Sequence, residues 1–147
     1  VASVGRRVLR WNRGQLERLL YGREGAVYRD LDRRGRRGVQ AARQLAPVSA
    51  DGSHGRPPGY LRDSIDYEID RGPDGELYVD IVARAQTPDG IPIGLLVELG
   101  TEAHTITSGG DYPLRNRQTG QVFGRTVEHP GTDPQPFLRP ALQAMRD

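Results

Sequence analysis

The chain has no cysteine and no lysine in 147 residues, and only one methionine, one tryptophan and two phenylalanines. Without cysteine, disulfides, thiolate nucleophiles and thiolate metal sites are excluded. Without lysine, all 21 basic residues are arginine, so every cationic contact is made by a planar, bidentate guanidinium. No apolar run approaches the length of a membrane span, and the first residues hold no signal-peptide core. The expectation is a soluble protein made in the cytosol, with no membrane partner. Catalytic signatures are equally scarce. The sequence has no lysine-bearing phosphate loop, no GxSxG elbow, no i, i+4 histidine pair and no dense Asp/Gly calcium loop. The three histidines, His54, His104 and His129, lie far apart in sequence. The chain is therefore expected to be no enzyme and to carry no metal or cofactor.

What is present describes a globular chain rich in loops: 35% hydrophobic, 27% charged, with 19 glycines and 11 prolines. The length fits one domain over residues 1–147 with a single modest core. The small net charge of +2 hides an asymmetry. Residues 1–45 hold twelve arginines against four acids, whereas residues 46–147 hold nine against fifteen. So polarised a chain suits stacking of its basic end on an acidic surface, or resting that end against nucleic acid.

Residues 24–45 predict a long helix, because Val27, Leu31, Gly35, Gly38, Ala42 and Leu45 recur at spacings of three and four. Glycines on that stripe cost about 1 kcal/mol each relative to alanine, so a neighbouring backbone is expected to approach them closely. Pro47 stops the helix, and a shorter one precedes it at about 12–21. Residues 48–59 read as a loop. Ile65, Tyr67 and Ile69, the turn "GPDG", and then Leu77, Val79 and Ile81 read as a β-hairpin. The apolar stretch "IPIGLLVELGT" at 91–101 reads as a central strand. A second hairpin is expected from residues 112–117 and 122–129, turning at 118–121. Pro140 fits only a first helical turn, so a short C-terminal helix begins near 137–139 with Leu138, Ala141, Leu142 and Met145 as its apolar face. The fold class is α+β: a mostly antiparallel sheet of two hairpins and a central apolar strand, packed by the long N-terminal and short C-terminal helices.

Candidate site residues fall in two groups. The basic helix offers Arg29, Arg33, Arg34, Arg36, Arg37 and Arg43 for contact with a subunit or with DNA phosphates, diluted by Asp30 and Asp32. Near the C-terminus, "HPGTDPQPFLRPAL" sets Pro136, Phe137, Leu138 and Leu142 in a stiffened segment. Two readings stand for it: a docking anchor for another molecule, or a seal on the chain's own core. Glu98, counted with these as an interface residue, interrupts an apolar run, either as a buried carboxylate of raised pKa or as a strand residue facing solvent or paired with arginine.

Several stretches together resemble the head–tail joining proteins of long-tailed bacteriophages, also called neck or tail-completion proteins. "APV" (46–48) followed by "GYLRDSI" (59–65), "VELGT" (97–101) and the closing "HPGTDPQPFLRPAL" (129–142) are similar to that family's motifs, in the same order. The loops at about 48–59 and 102–121 are longer than the family's. The resemblance implies a structural virion protein with no catalysis, assembled in the host cytoplasm. It would form a ring, expected to be a hexamer, at the head–tail junction, joining tail to filled capsid around a DNA channel. Its partners would be further copies of itself and the neighbouring connector and tail-tube proteins, with non-specific contact to channel DNA compatible. A tail-terminator ring is the near alternative and a small Arg-rich DNA-binding module the distant one. A hydrolase using Glu98 or His104 is a third.

Overall fold

The computed structural model describes residues 12–49, 56–116 and 119–146. Five helices and six strands follow in the order α1 (Arg13–Tyr21), α2 (Ala26–Leu45), α3 (Tyr60–Asp63), β1 (Ile65–Arg71), β2 (Leu77–Ala83), α4 (Ile93–Leu99), β3 (His104–Thr107), β4 (Leu114–Arg115), β5 (Val122–Gly124), β6 (Thr126–His129) and α5 (Leu138–Ala144). The α+β class holds, with its long N-terminal helix and short C-terminal one.

The centre of the molecule is α2. The β1–β2 hairpin lies along one side of it, and α5 and α1 pack on it as well. Asn12 starts α1 by accepting the Gln15 N–H at 3.1 Å. The predicted stripe on α2 is the buried one, with Gly35, Gly38 and Ala42 inside. The close approach is made by side chains rather than by backbone, however. A Cβ on Gly35 would lie 2.3 Å from the Tyr67 ring, and one on Gly38 would meet Ile81 at 2.6 Å and Met145 at 2.8 Å. Leu45, the last member of the stripe, is exposed.

In the hairpin, Ile65 faces Ala83, Tyr67 faces Ile81 and Ile69 faces Val79 across an antiparallel register. These residues point to α2, and the alternate positions Asp66, Glu68, Asp70 and Asp80 point to solvent. A polar link crosses the two layers where the Tyr67 hydroxyl donates to Asp32. Asp32 also receives Arg36 at 2.9 Å, and these bonds hold its carboxyl below the ordinary aspartate range.

Three expectations need correction. Residues 93–99 form a helix and not a central strand. A short apolar run carries no decisive period, and here the buried pair is Gly94 and Glu98, one helical turn apart. Pro92 before it and Gly100 after it, at φ +71°, are the punctuation of a short helix. Secondly, the strands form no single sheet. Among the described residues there are three two-stranded antiparallel ladders, β1–β2, β3–β6 and β4–β5. Thirdly, the second hairpin is shorter than expected: β4 pairs only with β5, while 126–129 pairs with the unforeseen strand at 104–107. Residues 50–55, with His54, and residues 117–118 lie outside the described residues.

The core is small: Ala42, Ala46, Leu61, Ile65, Ala85, Phe137 and Ala141, with half-buried Val39, Ile81, Ile93, Val97 and Leu138 against it.

Candidate assembly surfaces

The C-terminal segment answers to Glu98. Phe137 is completely buried in its own fold, so it acts as the core seal and is not free to anchor another molecule. The chain reaches it through an extended run tied to α4 and to the residues just after it. Thr101 and Thr132 exchange both backbone hydrogen bonds at 3.0 Å, and their hydroxyls meet at 3.0 Å. The Gln135 N–H then donates to the Val97 carbonyl at 2.8 Å. Gly100 (φ +71°) and Gly131 (φ +84°) flank this clasp, and a Cβ on either would strike the opposing backbone at 2.4 or 2.2 Å.

At the start of α5 the Glu98 carboxylate accepts the N–H groups of Phe137 (2.8 Å), Leu138 (2.9 Å) and Arg139 (3.1 Å), and Arg139 Nε at 3.1 Å. A helix opens with four N–H groups lacking internal partners. Here three bind one carboxylate, and the fourth position is Pro140, which has no N–H. Burial, at 6% exposure, opposes the charge on Glu98, but the bonds from Leu138, Phe137 and Arg139 outweigh it. Its pKa is therefore lowered, opposite to what a general base held protonated by burial would show. Both carboxylate oxygens are engaged in holding structure. Glu98 thus lies on a helix and not on a solvent-facing strand, and its expected pairing with an arginine is met by Arg139 at 3.1 Å.

The other named residues of that segment divide. Leu138 is half-buried against the core, while Pro136 and Leu142 are exposed, Leu142 at 46%. Every motif quoted for the family resemblance meets in one place. Ala46, Leu61, Ile65, Phe137 and Ala141 are core, and Glu98, Thr101 and Thr132 clasp it. Ser64 completes the set, its hydroxyl donating to the Leu61 carbonyl (2.7 Å) and accepting the Ala85 N–H (3.0 Å).

The basic helix has a clear sidedness. Arg29, Arg33 and Arg36 are exposed on the side of α2 away from the buried stripe, with Arg34 and Arg37 half-buried beside them. Asp30 binds Arg33 and Arg34, and Asp32 binds Arg36, so much of the charge is matched within the helix. Arg43 donates to the Ile65 carbonyl at 2.8 Å, which places it in the packing of β1 on α2. Across the domain, the outer face of β1–β2 carries Asp66, Glu68, Asp70 and Asp80, with Glu68 directly opposite Asp80. Arg84 binds Asp66 and Glu68 there. The two-layer unit is basic on its helical outside and acidic on its strand outside.

Two further features escaped the sequence reading. His104 and His129 are partners in the β3–β6 register, with ring centroids 5.0 Å apart. His129 Nδ1 accepts the Gly131 N–H at 3.1 Å. The alternation in "HTIT" was the available signal for this strand. Beside the pair lies a cleft of about 920 Å³, walled by Tyr60, Ile91, Ile93, Leu96, Val97 and Ile106. Among the described residues no group of three or more His, Asp or Glu is placed to hold a metal ion, and no helix is long and apolar enough to cross a membrane. Comparison with protein-family models, with curated proteins and with solved structures finds no match.

Proposed function

We propose that the chain is a structural virion protein, without catalytic activity, that closes into a ring at the head–tail junction of a long-tailed bacteriophage. There it joins the tail to the filled capsid and leaves a channel for DNA. The observation that carries this reading is the sidedness of the domain. Basic and acidic outer faces lie on opposite sides of one two-layer unit, as suits a part held between unlike neighbours. The motif resemblance supports it, since the residues quoted for it converge on one clasped core. The only buried acid among the described residues is occupied as a helix cap, which weakens the hydrolase reading. Cosedimentation with tails isolated from the parent phage, against duplex DNA as competitor, tests the reading. Retention on tail tips is the expected result. Binding to duplex DNA alone, falling steeply with salt, would favour the DNA-binding module instead.

A further inference from the structure

The long ribbon that follows α4 has no core of its own. All four residues of β3 and all three of β5 are exposed, and its outer hairpin, β4–β5, displays Tyr112 (71% exposed), Val122 and Phe123 (43%). A two-stranded ribbon is marginal in water unless something packs on it. The cleft has the converse character. Its walls are apolar, and Ile91 at its mouth is 47% exposed, with Leu95 and Leu99 exposed on the adjoining outer face of α4. Ile106, at the root of the ribbon, lines this cleft, but Tyr112, Val122 and Phe123 do not. Projecting apolar surface and receiving apolar surface are therefore separate patches of one chain.

Their charges are also complementary. Asp89 and Asp133 line the cleft, where Arg56 is turned over the Tyr60 ring with 4.8 Å from guanidinium to centroid. The hairpin brings Arg115 and Arg125, the latter 3.2 Å from the fully exposed Asp111.

Resting on the ring reading above, we infer that the β4–β5 hairpin of one copy seats Tyr112, Val122 and Phe123 in the cleft of the next copy. Arg115 and Arg125 then face Asp89 and Asp133. The contact is head-to-tail between unlike patches, the kind that generates a ring when its rotation closes. It also accounts for the exposed aromatics, because aromatic side chains seated in a desolvated pocket are the usual centres of binding energy.

The test is native mass spectrometry over a concentration series of the full chain, run without and with isolated tails, so that rings forming only on tails are scored with the same variants. It compares wild type, an arm variant (Tyr112→Ser with Phe123→Ser), a cleft variant (Ile91→Arg) and their equimolar mixture. All three side chains are exposed, so melting should stay near that of wild type; if Ile91→Arg unfolds, Asp89→Arg with Asp133→Arg challenges the same rim. Wild type is expected to form rings, and each variant to need a concentration at least about 30-fold higher. The mixture should stop at a heterodimer, since only one intact arm and one intact cleft remain to meet. Rings from either variant, or a mixture that stays monomeric, would overturn the arm-in-cleft contact while leaving the ring reading standing. A wild type that is monomeric at every concentration, with and without tails, would contradict both.

Discussion

A single carboxylate does unusual duty in this protein. Glu98 gathers three backbone N–H groups from the start of α5, and Pro140 removes the need for a fourth partner. Replacing it with alanine orphans those donors in a nearly dry site, so Glu98→Ala should cost about 2–4 kcal/mol in chemical denaturation. The pH dependence has a definite sign. The folded pKa lies below the ordinary glutamate value of about 4.3, so the contribution is fully present above that value and is lost as pH falls through the folded pKa. Glu98→Gln should therefore lower stability at neutral pH and flatten the acid limb of the stability curve, and an unchanged limb would contradict the cap. Phe137→Ala should cost about 3–5 kcal/mol, as for a fully buried aromatic. The sequence shows that Glu98 is exceptional, since an acid inside an apolar run must be either exposed or engaged. An arginine partner was foreseeable, but the other three partners were not, because they are backbone N–H groups some forty residues away, which leave no side-chain signature.

At the scale of elements, the 24–45 helix and the 65–81 hairpin were legible because each has a strong period over many residues. The 91–101 segment was not, because seven helical residues are too few for a period to outvote an apolar composition. The ribbon at 104–129 was only partly legible, since register between distant strands is set by packing rather than local pattern. The glycines of α2 separate two effects. Alanine gains about 1 kcal/mol in helix propensity at either position, against an overpacking cost of about 1–3 kcal/mol. At Gly35 the new methyl meets the root of the Tyr67 ring, 2.7 Å from Cγ, which cannot swing aside. At Gly38 it meets the tip of Ile81 (Cδ1 at 2.6 Å) and the unbranched middle of Met145 (Cγ at 2.8 Å), both flexible aliphatic chains that can shift. Thermal melts should show Gly35→Ala clearly destabilised and Gly38→Ala close to wild type. Equal losses would mean that both contacts are rigid.

At the scale of the whole molecule, the charge asymmetry read from the sequence becomes a spatial one, with arginines outside α2 and acids outside β1–β2. Single surface charges contribute little to folding, so reversing Arg29, Arg33 and Arg36 to glutamate should shift melting only modestly. The same triple reversal should weaken tail binding at least about tenfold at low salt, with the difference shrinking as ionic strength rises. Binding assays across a salt series would check it. Composition made the asymmetry legible; the exposed hairpin and the separate apolar cleft were not, because neither is a property of a contiguous segment.

Whether copies of this chain close into a ring, as proposed, is decided by the mass and symmetry of the species it forms, alone and on isolated tail tips, by light scattering and image averaging. A closed ring, expected to be hexameric, should form either free in solution or from monomers on the tail tip. A protein that stays monomeric in the presence of tails would contradict it.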